Sequence, residues 1–278
     1  MTRTRMHTAA MAAWGLLALA SSSFVLAQDA SPSNDLLATR ATLSSQVFDG
    51  AMTRAQESAA VRQLTALARK TIFSPKVCEG DPIAFYYTVR AGDTLASISR
   101  RLGLNLPTDV IEQINGDCDS LAPGRTLKLL RGPFHAIISK SKFSLYVYLQ
   151  APDGQKIFVR RAKVAVGKDD RTPAGLFRVA GKAKHVTWTP PPSMAKKYKK
   201  PVPWGHKGYP LGKDGYFMSL RGIEPATSGV KGYGIHGTNA QWSIGKAASH
   251  GCIRVGDADI GPVWTLMTEG ASTVQIVP

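Results

Sequence analysis

The chain is expected to fold as a mainly β C-terminal domain, preceded by a small α+β module of order βααβ and an N-terminal helical segment. Three observations predict this. From Phe134 onward, β-prone runs alternate with turn residues. Between residues 86 and 130, two strand-like runs flank two short helical ones. From Ala51 to Ile72 the chain has helical apolar spacing with neither glycine nor proline. At 278 residues it is long enough for two modest domains, each with its own core.

Residues 1–27 read as a signal peptide. Arg3 and Arg5 are followed by an apolar run from Ala9 to Ala20, and Val25-Leu26-Ala27 precedes a cleavage point at Gln28. The run is too short to span a bilayer, so the mature chain is expected to be exported, to periplasm or cell wall, with no integral membrane segment. Residues 28–83 form the helical segment, as a helix or helical hairpin loosely attached to or packed on the next module. Its apolar residues are Leu36, Leu37, Leu43 and Val47, then Val61, Leu64 and Leu67. No chemistry is visible in it.

Residues 84–131 form the small module. Tyr86 to Val89 is a strand that turns at Ala91-Gly92-Asp93. Asp93 or Thr94 caps a helix from Leu95 to Leu102, a second helix covers Pro107 to Ile114, and a return strand follows the Ala122-Pro123-Gly124 turn. With YTVRAGDTL at its start and INGDCDSLAPGRTLKL at its end, this stretch resembles a LysM domain. The resemblance implies binding of N-acetylglucosamine-containing glycan such as peptidoglycan, in a groove beside Gly92, Asp93, Thr94 and Leu95. A LysM fold serving only as a spacer is the alternative.

Residues 132–278 carry the β-rich domain. Ala136 to Ser139, Phe143 to Leu149, Ile157 to Val159 and Ala162 to Gly167 are strand-like, with a hairpin turn at Pro152-Asp153-Gly154. Pro190 to Gly205 is proline-punctuated and lysine-rich around Tyr198, so it is neither regular helix nor central strand. A lid over a cleft and solvated basic decoration are both open readings. Tyr216 to Leu220 and Val274 to Val277 are further strands.

The chemistry concentrates in His236-Gly237-Thr238 and Ser249-His250-Gly251-Cys252-Ile253-Arg254. A cysteine sulfur attacks carbonyls well once an imidazole takes its proton, and glycines let backbone amides approach a substrate closely. The order HGT then SHGCIR, with Thr172-Pro173-Ala174-Gly175-Leu176-Phe177 as a TPxGxF element, closely resembles the YkuD-type L,D-transpeptidases. These are cysteine enzymes that remodel peptidoglycan. The resemblance implies a β-sandwich catalytic domain with Cys252 as nucleophile and His236 as its base. The Gly237 carbonyl would orient the imidazole, and the Gly251 and Cys252 N–H groups would form an oxyanion hole. His250 competes for the role of base but more plausibly shapes the loop or borders the substrate. Arg254, Tyr233, Ser249, Thr238 and Trp242 are the candidate substrate-contacting residues, with Ser249 also bonding within the turn.

The three cysteines suggest one disulfide and one spare thiol in an exported protein. Cys78 and Cys118 bracket the small module and are expected to pair, leaving Cys252 free. No metal or cofactor is expected, because one available cysteine and scattered histidines make no four-ligand set. The net charge of +16 favours anionic partners. Export excludes nucleic acid and leaves peptidoglycan stems and anionic wall polymers, with a wall-attached protein as a further acceptor. Ten lysines and arginines and no acid lie between Arg171 and Lys213. An L,D-carboxypeptidase using water, or a non-catalytic wall-binding protein, are the alternatives to a transpeptidase.

Overall fold

The computed structural model describes residues 32–50, 52–190, 194 and 199–278. The expected signal peptide and residues 196–198 of the basic segment lie outside them. Two helices open the described chain, α1 (Pro32–Asp49) and α2 (Arg54–Thr71). Helix α2 starts at a capping box in which the Thr53 side chain accepts from the Gln56 N–H and the Gln56 side chain accepts from the Thr53 N–H. Its buried stripe includes Ala60, Leu64 and Leu67 at the spacing of one helix face.

The small module is β1 (Ala84–Thr88), α3 (Leu95–Arg101), α4 (Thr108–Asn115) and β2 (Thr126–Leu130), with β1 and β2 antiparallel. Thr94 is the N-cap of α3, through a box with Ser97. The β-rich region holds β3 (Phe134–Ser139), β4 (Ser144–Gln150), β5 (Lys156–Gly167), β6 (Gly175–Ala183), β7 (Phe217–Gly222), β8 (Gly234–His236), β9 (Ala247–Ser249), β10 (Ile253–Val255) and β11 (Thr273–Val277), with α5 (Asp257–Leu266) before the last. Strand β10 pairs with β8 on one side and β5 on the other. The sheet therefore closes on itself in the order β5-β4-β3-β11-β6-β7-β8-β10, with β9 flanking β5. Closure removes the exposed edges that an open sheet would present.

Strand β4 is buried on both faces from Ser144 to Leu149. Leu145, Val147 and Leu149 enter the main core, whereas Tyr146 packs with Val47, Leu64 and Phe158 under the helical hairpin. The hairpin is thus the outer layer of the barrel wall rather than a loose appendage. Polar contacts fix it there: Glu57 accepts from Tyr146 Oη and, at 2.7 Å, from Lys142 Nζ, and the Phe158 N–H donates to Ser44 Oγ at 3.0 Å.

The same helices hold the small module. Arg40 makes a two-pronged ion pair with Asp81 at 2.8 and 3.0 Å, both side chains almost fully buried. Lys128, on β2, is buried and donates to the carbonyls of Thr71, Ser74 and Lys76 at 2.6, 3.0 and 3.0 Å, so its ammonium serves the end of α2. Burial pulls its pKa down to about 8, against the pull of Asp81.

The expected Cys78–Cys118 bridge is absent, and both are buried free thiols. Cys118 Sγ instead faces the Gly116 carbonyl at 3.2 Å, while Cys78 lies near the Lys128 ammonium. The module is held instead by shared burial. Residues from α2, the small module and the barrel belong to one continuous apolar cluster, including Ile72, Ile98, Ile111, Leu129, Phe134 and Val147.

Candidate active site

Strands β8 and β10 lie side by side and parallel, with Ile253 level with Ile235 and Arg254 level with His236. Cys252 is the residue that enters β10 and His236 the one that ends β8. Adjacent strands are about 4.8 Å apart, so this register brings residues distant in sequence to one place. Cys252, His236 and Arg254 all line one cavity of about 940 Å³, with Tyr233, Ser249 and His250.

The turn into Cys252 is tightly determined. Gly251 has φ +138°, and a Cβ there would sit 2.7 Å from Tyr233 Cε1, so a side chain is excluded on both counts. The Gly251 N–H donates to Ser249 Oγ at 3.0 Å, and Ser249 Oγ donates to the Cys252 carbonyl at 2.6 Å. This corrects the expected pair of oxyanion donors. Because the Gly251 N–H is already spent inside the turn, the Cys252 N–H is left as the turn's backbone donor. Ser249 is buried, and its single hydroxyl proton is likewise committed to the turn rather than to a substrate.

His236 is buried, with Nδ1 2.6 Å from the Gly237 carbonyl and its ring stacked at 6.2 Å from that of Phe217. The carbonyl is an acceptor only, so Nδ1 carries the proton and Nε2 keeps its lone pair. Burial lowers the pKa to about 4; the Gly237 contact opposes this and Arg254 adds to it. His236 is therefore neutral at pH 7. Burial raises the Cys252 pKa, against a hydrogen bond from the Gly234 backbone and the charge of Arg254. At rest, therefore, Cys252 is a thiol and His236 a neutral imidazole on the same cavity wall. Cys252 Sγ lies 3.7 Å from the Gly232 carbonyl, a fitting acceptor for an S–H.

Arg254 is half-buried and makes no ion pair among the described residues. A desolvated guanidinium without a counter-ion is costly, so its position on the cavity wall suits an incoming carboxylate. Tyr233 also lines the cavity, and its hydroxyl has no hydrogen-bond partner among the described residues.

His250 is exposed on the cavity rim, its pKa lowered by partial burial and then by Arg254, Lys168 and Arg171. Thr238 is buried and its Oγ1 accepts from the Ala240 N–H at 3.0 Å. Trp242 is 70% exposed at the rim, with Lys246 over its ring at 5.7 Å. The segment from Val186 to Thr189, with Met194, forms a wall of the cavity, pinned by a bridge between Trp188 and Val202. Lys231, Leu211 and Asn239 also line it and were not singled out from sequence, where nothing marks them apart from other surface or strand residues. Among the described residues no cluster of histidine, cysteine and carboxylate could hold a metal ion.

In the small module, Gly92 turns at φ +80°. Asp93 accepts from Tyr87 Oη at 2.5 Å and from the Arg90 N–H at 2.9 Å, and pairs with Arg101 at 2.9 Å. The Tyr87 hydrogen bond leads the causes that hold its carboxyl down at about 2. Thr94 is used in the helix cap and Leu95 is buried. Of the four residues expected at the glycan groove, three side chains are therefore engaged in shaping the turn, which leaves its backbone to meet a ligand.

The sequence profile of the YkuD L,D-transpeptidase catalytic domain matches residues 133–276. The chain belongs to the YkuD L,D-transpeptidase family. The LysM profile matches residues 87–129. The putative L,D-transpeptidase YkuD of Bacillus licheniformis is 36% identical, over 69% of this chain and 98% of its own length. The probable L,D-transpeptidase YcfS of Escherichia coli K12 is 32% identical over 48% of this chain, and the putative L,D-transpeptidase YqjB of Bacillus subtilis 168 is 38% identical over 35%. This YkuD-family chain spans only 41% and 48% of the lengths of those last two relatives.

Proposed function

We propose that the protein is an exported peptidoglycan L,D-transpeptidase that acts through Cys252. The observation that carries this reading is the single cavity in which Cys252, the neutral His236 and the unpaired Arg254 meet. The donor is a stem peptide, cut between the position-three diamino acid and the D-alanine at position four. Arg254 binds a stem carboxylate. As Cys252 Sγ attacks the carbonyl, its proton passes to His236 Nε2, and charge on the carbonyl oxygen is met by the Cys252 N–H, with Tyr233 Oη as second donor. The C–N bond then breaks, and D-alanine departs with the proton from His236, leaving a thioester on Cys252. An acceptor amine attacks the thioester, gives up a proton through His236, and restores the thiol as a 3–3 cross-link forms. A wall-attached protein bearing an amine would be carried through the same steps.

The thiol–imidazole resting state supports this order of events. A permanently ionised thiolate would be open to oxidation outside the cytoplasm, whereas proton transfer coupled to attack confines the nucleophile to the substrate-bound state. The LysM module supplies a hold on glycan strands, and its burial against the barrel fixes its distance from the cavity. The test is incubation of the protein lacking residues 1–27 with tetrapeptide muropeptides, followed by mass spectrometry. Release of D-alanine with 3–3 dimers is expected. Tripeptides alone would assign water as the acceptor, and unchanged muropeptides would leave only a wall-binding protein.

A further inference from the structure

Thr172, in the TPxGxF stretch, has no part in the steps above, yet it is 1% exposed and bonded directly to the nucleophile's turn. Its Oγ1 accepts from the Gly167 N–H at 2.7 Å and donates to the Gly251 carbonyl at 2.6 Å. A hydroxyl has one proton. With a backbone N–H already occupying a lone pair, that proton is committed to Gly251. Gly167 ends β5 and is level with Ser249 of β9, so Thr172 is anchored to strands on the other side of the turn.

The consequence follows from peptide geometry. The Gly251–Cys252 bond is trans, since among the described residues the cis bond is at Gly132-Pro133. In a trans peptide the carbonyl and the next N–H point in opposite directions. Thr172 does not line the cavity and Cys252 does. Drawing the Gly251 carbonyl toward Thr172 therefore turns the Cys252 N–H away from it, toward the cavity where the acyl-transfer reading puts the substrate carbonyl. Gly251, at φ +138°, has no side chain to restrict this peptide plane, and Ser249 restrains only the groups on either side of it. We infer that Thr172 is a positioning residue that aims the Cys252 N–H at the oxyanion. The inference rests on the acyl-transfer reading and extends it to a residue that touches neither substrate nor sulfur.

The test compares two reactions of the same thiol in wild-type protein, Thr172→Val and Thr172→Ser. Acylation by a carbapenem builds charge on a carbonyl oxygen, whereas alkylation by iodoacetamide needs the thiolate but no oxyanion donor. In Thr172→Val the maximal acylation rate should fall by about 10- to 100-fold, less than the roughly 10²- to 10³-fold that removing such a donor outright costs. The half-saturating carbapenem concentration and the alkylation rate should change little, and Thr172→Ser should restore acylation. Thr172→Ala reads the same two rates if the valine variant does not fold. An equal fall in acylation and alkylation would overturn the inference in favour of a general structural role. No fall in either, or no rescue by serine, would overturn it outright. Wild-type protein that alkylates but never acylates would instead defeat the transpeptidase reading, and this inference with it.

Discussion

His236 and His250 line the same cavity as Cys252 in different environments. His236 is buried, held at Nδ1 by a backbone carbonyl, and neutral down to about pH 4; His250 is exposed at the rim. His236→Ala should therefore lower β-lactam acylation by about 10²- to 10⁴-fold, the usual worth of a positioned base, and His250→Ala by far less. The folded pKa of His236 is below its ordinary value, so the neutral form is lost only as pH falls through about 4. The acylation profile should accordingly lack an inflection near 6.5 and show its acid limb near 4. Alkylation of Cys252 by iodoacetamide should still be rising above about pH 8.5, the pKa of an unperturbed thiol. A plateau below pH 7 would reveal a thiolate–imidazolium pair instead. At this scale the motif singled out Cys252, His236 and Arg254, which line one cavity, because the residue types proposed here as nucleophile, base and anion site have few substitutes. The spending of the Gly251 N–H on Ser249 was not legible, since it depends on a peptide plane that composition does not encode.

Elements show the same division. The N-cap of α3 and the strand-prone runs of β1 and β2 are local signals, and they form the expected local structure. Helix α5 went unseen because Gly261-Pro262 lies inside it; proline reads as a breaker, although here the helix continues through it. Nor did sequence show where the helical hairpin docks, since the outward tyrosines of β4 look like any amphipathic strand residues. The Arg40–Asp81 pair was equally invisible, being made between residues far apart in the chain. It gives a direct check on the hairpin. Asp81→Asn leaves a buried guanidinium uncompensated and should destabilise the protein by about 3–5 kcal/mol in denaturant unfolding. Carbapenem acylation below the transition should be unaffected, because the pair is remote from the cavity.

Across the molecule, Ser31–Pro278 form one compact unit, and the apolar cluster passes from α2 through the small module into the barrel without a break. Two domains joined by a linker would unfold separately; a shared core should unfold once. Calorimetry of residues 28–278 is expected to give a single cooperative transition, and two resolved transitions would contradict the packing described. A shared core suits the proposed function, in which a glycan strand is held at one place and its stem is cut at another. The proposed function turns on one event, the capture of a stem peptide on Cys252 as a thioester. The most direct test mixes the protein with a tetrapeptide stem, quenches in acid within the first turnovers, and maps the peptides by mass spectrometry. The expected result is a tripeptide acyl adduct on Cys252, short of one D-alanine and absent from Cys252→Ala. D-alanine release without any adduct on Cys252, or release that survives Cys252→Ala, would contradict the account.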